Sequence, residues 1–340
     1  MLPHIAFPSL EQFDDVQARM TYNGQAGAGV WGSKIKLHGM NMSVVVTQSG
    51  CVRAQSRYQI LGPDDTSGFA AFVQRTGADW ARVAGDVAVE WPLTIFGEWA
   101  GEGLQKGTSV SRIGRQAFFV FAVGAGTMPH PQNPDKILPK WMITEPSAIE
   151  DILFTTGLVA PDVHVLPWAD EYTLNFGDAE ALGTELDRLN RDVDMLEKED
   201  PYIAQVFGVS GAGEGYVLTP RSTGICSLGG DTYGRFAFKA KTVAHRVRKQ
   251  GKPATPKAPP PASLPAFVDT YVTEPRCRQG LDEACGGVVA KSSIGAFVAW
   301  MKADVVKEST RDMEAMGLTP ATVEPAVAAA ARAWLLAQCS

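Results

Sequence analysis

Apolar and polar residues alternate with a period near two in five short runs: MSVVVTQ (42–48), PLTIFGEW (92–99), FFVFAV (118–123), GYVLTP (215–220) and GRFAFKAK (234–241). Such alternation predicts β-strands, and Gly-rich turns and long insertions separate them. Two stretches switch to helical spacing, 68–82 and 179–200; the second is polar on most faces and is predicted to lie on the surface. Beyond residue 264, Ala-rich apolar spacing predicts helices over 264–273, 279–287, 291–305 and 320–338, with Thr319-Pro320 read as N-cap and first helical residue. Between these regions KQGKPATPKAPPPASLP (249–265) can sustain neither a helix nor a central strand and reads as a semi-rigid, solvated linker. The pattern predicts an α+β domain over 1–248, a Pro/Lys-rich linker over 249–264 and a small all-helical domain over 265–340, with no internal repeat.

Composition narrows the class. Of 340 residues 45% are hydrophobic and 20% charged, enough apolar material for a sizeable core, which excludes an intrinsically disordered chain. No apolar run approaches the roughly 18 residues a membrane span needs, so no membrane partner is expected. The start, MLPHIAFPSLEQF, lacks a basic stretch followed by an apolar one and does not read as a secretory signal. The five cysteines (51, 226, 277, 285 and 339) form no CxxC pair and have no histidine at metal spacing, which predicts a reduced, cytosolic protein without structural zinc. The net charge of −6 hides segregation: residues 235–257 carry eight Lys or Arg and no acid, whereas 178–200 carry nine acids against three bases. The basic segment is a candidate for meeting phosphates.

A GxGxxG match at Gly27-Ala28-Gly29-Val30-Trp31-Gly32 has no strand before it and no amphipathic helix after it, so it is read as a loop rather than a dinucleotide site. Walker A, HExxH and GxSxG motifs are absent. Five other pieces carry the chemistry. Lys36-Leu37-His38-Gly39-Met40-Asn41 precedes a strand, with a glycine that permits a tight turn. Phe96-Gly97-Glu98 ends a strand in a Gly-rich stretch, Phe118–Val123 is an apolar strand, and Glu214-Gly215-Tyr216-Val217-Leu218 opens a buried strand with an acid. In Lys239-Ala240-Lys241 period-2 geometry sets both lysines on one face.

In this order the five pieces resemble motifs I, III, IIIa, IV and V of the covalent nucleotidyltransferases, the superfamily of ATP-dependent ligases and capping enzymes. KLHGMN, FGEWAGEGLQKG and EGYVLTP are similar to the double-strand, nick-sealing RNA ligases of phages, with the kinetoplastid RNA-editing ligases as relatives. The resemblance implies a nucleotidyltransferase (adenylation) domain built on antiparallel sheets and followed by a small helical domain. It implies ATP and a divalent ion, Mg2+ or Mn2+, and as partner a nicked duplex RNA or an RNA/DNA hybrid bound by a monomer in the cytoplasm, the host's if the gene is a phage's. By the same resemblance Lys36 is the nucleophile, Glu98 holds the ribose, Phe121 stacks on adenine, Glu214 is the metal ligand, and Lys239 and Lys241 meet the phosphates. His38 and Asn41 belong to the motif I loop, and Arg57, which matches with a one-residue shift that leaves Arg53 as the alternative, contacts the 5′-phosphate of the nick.

Three positions differ from the phage pattern: Ile35 before the nucleophile, Ala122 after the stacking Phe, and Thr219 after motif IV. The motifs alone also fit a ligase for single-stranded ends or mixed nicks. An mRNA guanylyltransferase is disfavoured because helices, not a strand barrel, are predicted after residue 265. A reading from a different class is a non-catalytic RNA-end-binding protein, against which Lys36, Glu214, Lys239 and Lys241 together argue.

Overall fold

The computed structural model describes residues 3–22, 27–83, 90–105, 107–155, 161–221, 227–242 and 264–339. The predicted linker up to residue 263, and the part of the basic segment from residue 243 to 257, lie outside them, while Leu264, predicted as linker, opens a helix. The chain divides into two compact units, Met1–Ala244 and His245–Ser340.

The first unit runs α1 (Phe13–Tyr22), β1 (Ala28–Lys36), β2 (Met40–Val46), β3 (Val52–Ser56), α2 (Phe69–Arg75), α3 (Gly77–Arg82), β4 (Leu93–Gly101), β5 (Gln116–His130), β6 (Asn133–Ile143), α4 (Pro146–Glu150), β7 (Val163–Val165), β8 (Asp170–Asn175), α5 (Ala179–Leu196), α6 (Pro201–Phe207), β9 (Gly215–Arg221), β10 (Ser227–Gly229), α7 (Gly230–Phe236) and β11 (Phe238–Lys241). They build two sheets, a larger one in the order β10-β6-β5-β4-β2-β3, with β7 added in parallel to β5, and a smaller antiparallel one in the order β11-β9-β1-β8. Two-period burial decides the faces. Val44, Val46, Ile95, Val120 and Val123 of the larger sheet pack with Phe69, Phe72 and Trp80 of α2 and α3. Trp31, Ile35, Tyr216, Leu218, Phe238 and Ala240 of the smaller sheet pack with Leu182, Leu189 and Val193 of α5. The opposite face of the smaller sheet is therefore left to Gly32, Lys34, Lys36, Val217, Thr219, Lys239 and Lys241.

The N-terminal segment crosses between the sheets. Ile5 exchanges hydrogen bonds with the Gln55 side chain on β3, Ala6 N–H donates to the Ile137 carbonyl on β6, and Glu11 N–H donates to the Ala237 carbonyl. Phe7 is buried with Phe96, Ala122, Tyr233 and Ala237.

Three expectations change. The glycine-rich stretch 27–32 is not a loop: Ala28–Lys36 is a strand paired on both sides. Gly32 is needed there because a Cβ would stand 2.7 Å from the Trp168 ring. The run 234–241 is only half strand. Tyr233 and Ala237 are buried at helical spacing, and alternation begins at Phe238. The helix over 179–196 is amphipathic rather than polar on most faces, burying Leu182, Leu189, Val193 and Leu196, with Asp178 capping it by accepting from the N–H groups of Glu180 and Ala181.

The second unit is helical where described: α8 (Leu264–Tyr271), α9 (Glu274–Cys285), α10 (Ile294–Ala315) and α11 (Pro320–Gln338). Its core holds Phe267, Tyr271, Phe297, Met301, Val305, Val323, Val327 and Leu335. Thr319 is the N-cap with Pro320 following, and its hydroxyl bonds the Thr322 hydroxyl at 3.0 Å rather than a backbone N–H. Among the described residues no helix is long and apolar enough to cross a membrane.

Candidate nucleotide site

Strand register assembles the site. Lys36, the last residue of β1, is directly opposite Gly215 on β9, and Gly215 is opposite Lys241 on β11, so the two lysines flank the start of β9 on one face. Glu214 stands immediately before Gly215 and is 3% exposed. Its Oε2 accepts from Lys36 Nζ at 2.5 Å, its Oε1 lies 3.2 Å from Lys241 Nζ, and His38 Nδ1 is 3.5 Å from Oε2. Burial by itself pushes the Glu214 carboxyl up. The ammonium groups of Lys36 and Lys241, with His38, overcome that and hold it well below the usual carboxylate range. A Thr242 N–H donating to the Glu214 carbonyl closes the edge of the sheet at 3.0 Å.

The turn that follows Lys36 is shaped from the other sheet. Glu98 on β4 accepts from the Gly39 N–H through Oε1 at 3.0 Å, and a Cβ on Gly39 would stand 2.5 Å from the Trp99 carbonyl. Glycine alone allows this approach. Asn41 on β2 pairs directly with Glu98, so both point to the same face. Lys239 lies one alternation from Lys241, opposite Val217.

Phe121 occupies a special position on β5. Phe96 pairs with Ala122 and Gly97 with Val120, which leaves Phe121 as the extra residue of a β-bulge. Its ring is half-buried and meets Phe7 edge-on, with centroids 5.2 Å apart.

The structure thus brings Lys36, His38, Glu98, Asn41, Glu214, Lys239 and Lys241 to neighbouring strand ends. Of the two arginines, Arg57 stands one residue past the pair Ser56–Met42, on the side of Asn41. Arg57 is in the exposed turn after β3, its guanidinium 5.8 Å from the Tyr58 ring, and Arg53 on β3 donates to the Pro3 carbonyl at 2.7 Å.

One group escapes the motif reading. Lys34, 4% exposed, shares the face of Lys36, donates from Nζ to the Phe121 carbonyl at 2.8 Å and lies 4.8 Å from the Trp168 ring centroid. Burial lowers its amine to about 7, opposed by the charge of Glu145. Trp168 Nε1 and Arg221 both donate to Glu145 Oε2 at 3.0 Å. The period-2 step from Lys36 was the one sequence signal pointing to Lys34; Trp168 and Glu145 reach it only through the fold.

Among the described residues no three His, Cys, Asp or Glu side chains are grouped to hold a metal ion. A single buried carboxylate nevertheless fits magnesium, which takes one or two carboxylates and completes its shell with water and phosphate oxygens.

One buried anion among several amines suits the handling of phosphate groups. The family model for RNA ligase matches residues 31–241, and the chain belongs to the RNA ligase family. That range contains every residue of the cluster. No curated protein matches the chain. Among solved structures the chain is similar to a variant of Naegleria gruberi RNA ligase with ATP and Mn, at 17% identity, 72% of this chain, 58% of that chain and TM-score 0.43. It is also similar to the Naegleria gruberi RNA ligase with PPi, at 16% identity, 72% of this chain, 62% of that chain and TM-score 0.40. The chain spans less than two thirds of the length of these solved relatives.

Proposed function

We propose that the protein is an ATP-dependent RNA ligase that seals 3′-OH/5′-phosphate nicks in duplex RNA through a lysyl-AMP and an RNA-adenylate. The observation that carries this reading is the Lys36 amine at 2.5 Å from buried Glu214, with Lys241 on the other oxygen of the same carboxylate. Lys36 Nζ attacks the α-phosphorus of ATP, the N–P bond forms, the bond to the bridging oxygen breaks and pyrophosphate leaves. The amine attacks in its uncharged form, its proton having passed to solvent. The AMP then passes to the 5′-phosphate of the nick, which frees Lys36, and the 3′-hydroxyl displaces AMP to form the phosphodiester.

The chain's own residues supply what each step needs. Lys239 and Lys241 neutralise phosphate charge as it shifts, the electrostatic work on which phosphoryl transfer depends. Glu98 and Asn41, side by side on two strands, are placed for the ribose, and the bulged Phe121 for stacking, a contact worth roughly 1–3 kcal/mol. Glu214 would hold a divalent ion, Mg2+ or Mn2+, which would supply positive charge against the nucleotide phosphates. Arg57 or Arg53 and the basic segment 235–257 contact the RNA, so affinity falls steeply with salt. The protein acts as a monomer in the cytoplasm, with the helical unit contributing to the duplex.

The test is covalent labelling with α-labelled ATP and magnesium, comparing the intact protein with Lys36→Ala. Acid-stable label on the protein, competed by ATP and lost in the variant, is the expected result. Label retained by the variant, or no label on the intact protein, would sink the reading.

A further inference from the structure

The Glu214 carboxylate is delivered by a stretch without regular structure, residues 208–214, which runs from the end of α6 to the start of β9. Such a stretch has no ladder of its own, so its polar backbone groups must be fixed from elsewhere. Here each residue from 210 to 213 is tied to another part of the fold. The Gly211 carbonyl accepts from the Asp200 N–H at 2.7 Å, and the Ala212 carbonyl accepts from the Ser109 N–H at 2.8 Å. The Gly213 N–H donates to the Leu196 carbonyl at 2.7 Å. Those three ties are backbone to backbone. The Ser210 carbonyl instead accepts from a side chain, the Arg112 guanidinium, at 2.6 Å.

Arg112 closes a single turn, Ser109–Arg112, that is anchored from below. Ser109 is buried, and Val110 and Ile113 belong to the core that also holds Tyr216 and Leu218 of β9. One rigid turn therefore grips the segment at two points, Ala212 through Ser109 and Ser210 through Arg112. Gly211, between them, leaves the room for this. Its φ of +144° suits glycine, and a Cβ there would overlap the guanidinium. Arg112 thus fills the space that a side chain at 211 would take, and a charged donor makes the stronger kind of hydrogen bond. The arginine itself is exposed, so the fold does not need it as core. Nor does it act on Glu214 by charge: the groups that hold that carboxyl low are Lys36, Lys241 and His38.

We propose that Arg112 is a positioning residue for the nucleotide site, which acts through the backbone of 210–213 to set the Glu214 carboxylate against Lys36. The proposal rests on the reading of Lys36 as the site of nucleotide attachment with Glu214 as its partner.

The experiment is single-turnover labelling with α-labelled ATP and magnesium in wild type, Arg112→Met, Glu214→Gln and the double variant. Nucleotide-free crystal structures of wild type and Arg112→Met accompany it. Arg112→Met keeps the aliphatic stem and loses the donor; Arg112→Ala replaces it if its thermal unfolding is not cooperative. In Arg112→Met the rate at saturating ATP should fall about tenfold or more, since a misplacement of about 1 Å can cost about 10²-fold. The ATP concentration that gives half the maximal rate should stay within about threefold. In the Glu214→Gln background the same change should cost less than about twofold, because the group being positioned is gone. A residue that only stabilises the fold would slow both backgrounds alike. In the crystal the Lys36–Glu214 contact, 2.5 Å in the intact protein, should lengthen beyond hydrogen-bond reach. An Arg112→Met rate within about twofold of wild type, an equal loss in both backgrounds, or an unchanged Lys36–Glu214 contact overturns the proposal. If wild type takes no label the ligase reading fails, and the crystal structures then decide alone: a lengthened contact upholds Arg112, and an unchanged one removes it as well.

Discussion

Lys36 and Lys34, two positions on one strand, use the same side chain under opposite conditions. Around Lys36 one carboxylate, Glu214, faces two ammonium groups and His38 within 3.5 Å. Cations outnumber the anion there, and the surplus positive charge is what phosphates can neutralise. Lys34 has no carboxylate to itself, because Glu145 is shared with Arg221 and Trp168, and the amine rests on a carbonyl and a ring. Two lysines one alternation apart on a single strand thus differ in how their charge is compensated: by an ion cluster in one case, by dipoles in the other. Neighbouring strands, not strand β1 itself, make the difference.

The sharpest way to break this contrast is around Lys36. Lys36→Ala should remove covalent labelling entirely. Glu214→Gln preserves shape but removes the anion between Lys36 and Lys241. Its labelling rate should fall about 10²–10³-fold, the size typical of losing one preorganised electrostatic group. A quench-flow rate within tenfold of wild type would show that the carboxylate is dispensable.

Effects at Lys34 should be smaller and should appear in stability. Lys34→Met replaces a buried amine with an apolar side chain of similar length, and a gain of about 1–4 kcal/mol at pH 6 is expected. The sign of its pH dependence follows from the lowered amine, about 7 in the fold against 10.5 outside it. Between those values the unfolded chain binds more protons at Lys34 than the folded one, so wild-type stability rises with pH. The advantage of Lys34→Met should therefore be largest below pH 7 and shrink toward pH 10. Urea unfolding of both proteins at pH 6, 8 and 9.5 tests this, and a constant difference across the series contradicts it. Gly32→Ala should be the mildest, costing about 1–3 kcal/mol because the new methyl meets the Trp168 ring. It should weaken nucleotide binding while leaving the ratio of labelling rates in Glu214→Gln and its parent unchanged.

How much of this could be read from the sequence depended on whether a pattern was local. Strands at Met40–Val46, Leu93–Gly101 and Gly215–Arg221 follow from alternation, and so does the shared face of Lys239 and Lys241. The convergence of Lys36, Glu214 and Lys241 needed a motif order as well, since the carboxylate is 178 residues from Lys36. Strand β1 was hidden because its glycines suggested a turn, when Gly32 makes room for the indole of Trp168 and Gly29 lies against the ring of Trp31. Helix α7 was hidden because the apolar residues of RFAF mimic alternation, and only burial under the N-terminal segment distinguishes the two. Lys34 was visible as a letter but silent, since its meaning comes from Phe121, Glu145 and Trp168, which no spacing rule links to it.

The bulge at Phe121 also governs how relatives of this chain should be aligned. A bulge is one residue present in one strand without a counterpart in its partner. A homologue that paired Phe96 and Gly97 without a break would need one residue fewer between Val120 and Ala122, and its stretch would carry a single-position gap there. Placing that gap even one column away would interchange the inward and outward residues of the intervening stretch. Comparative sequence work on this strand should therefore anchor on Gly97 and Val120 before scoring any column beyond them.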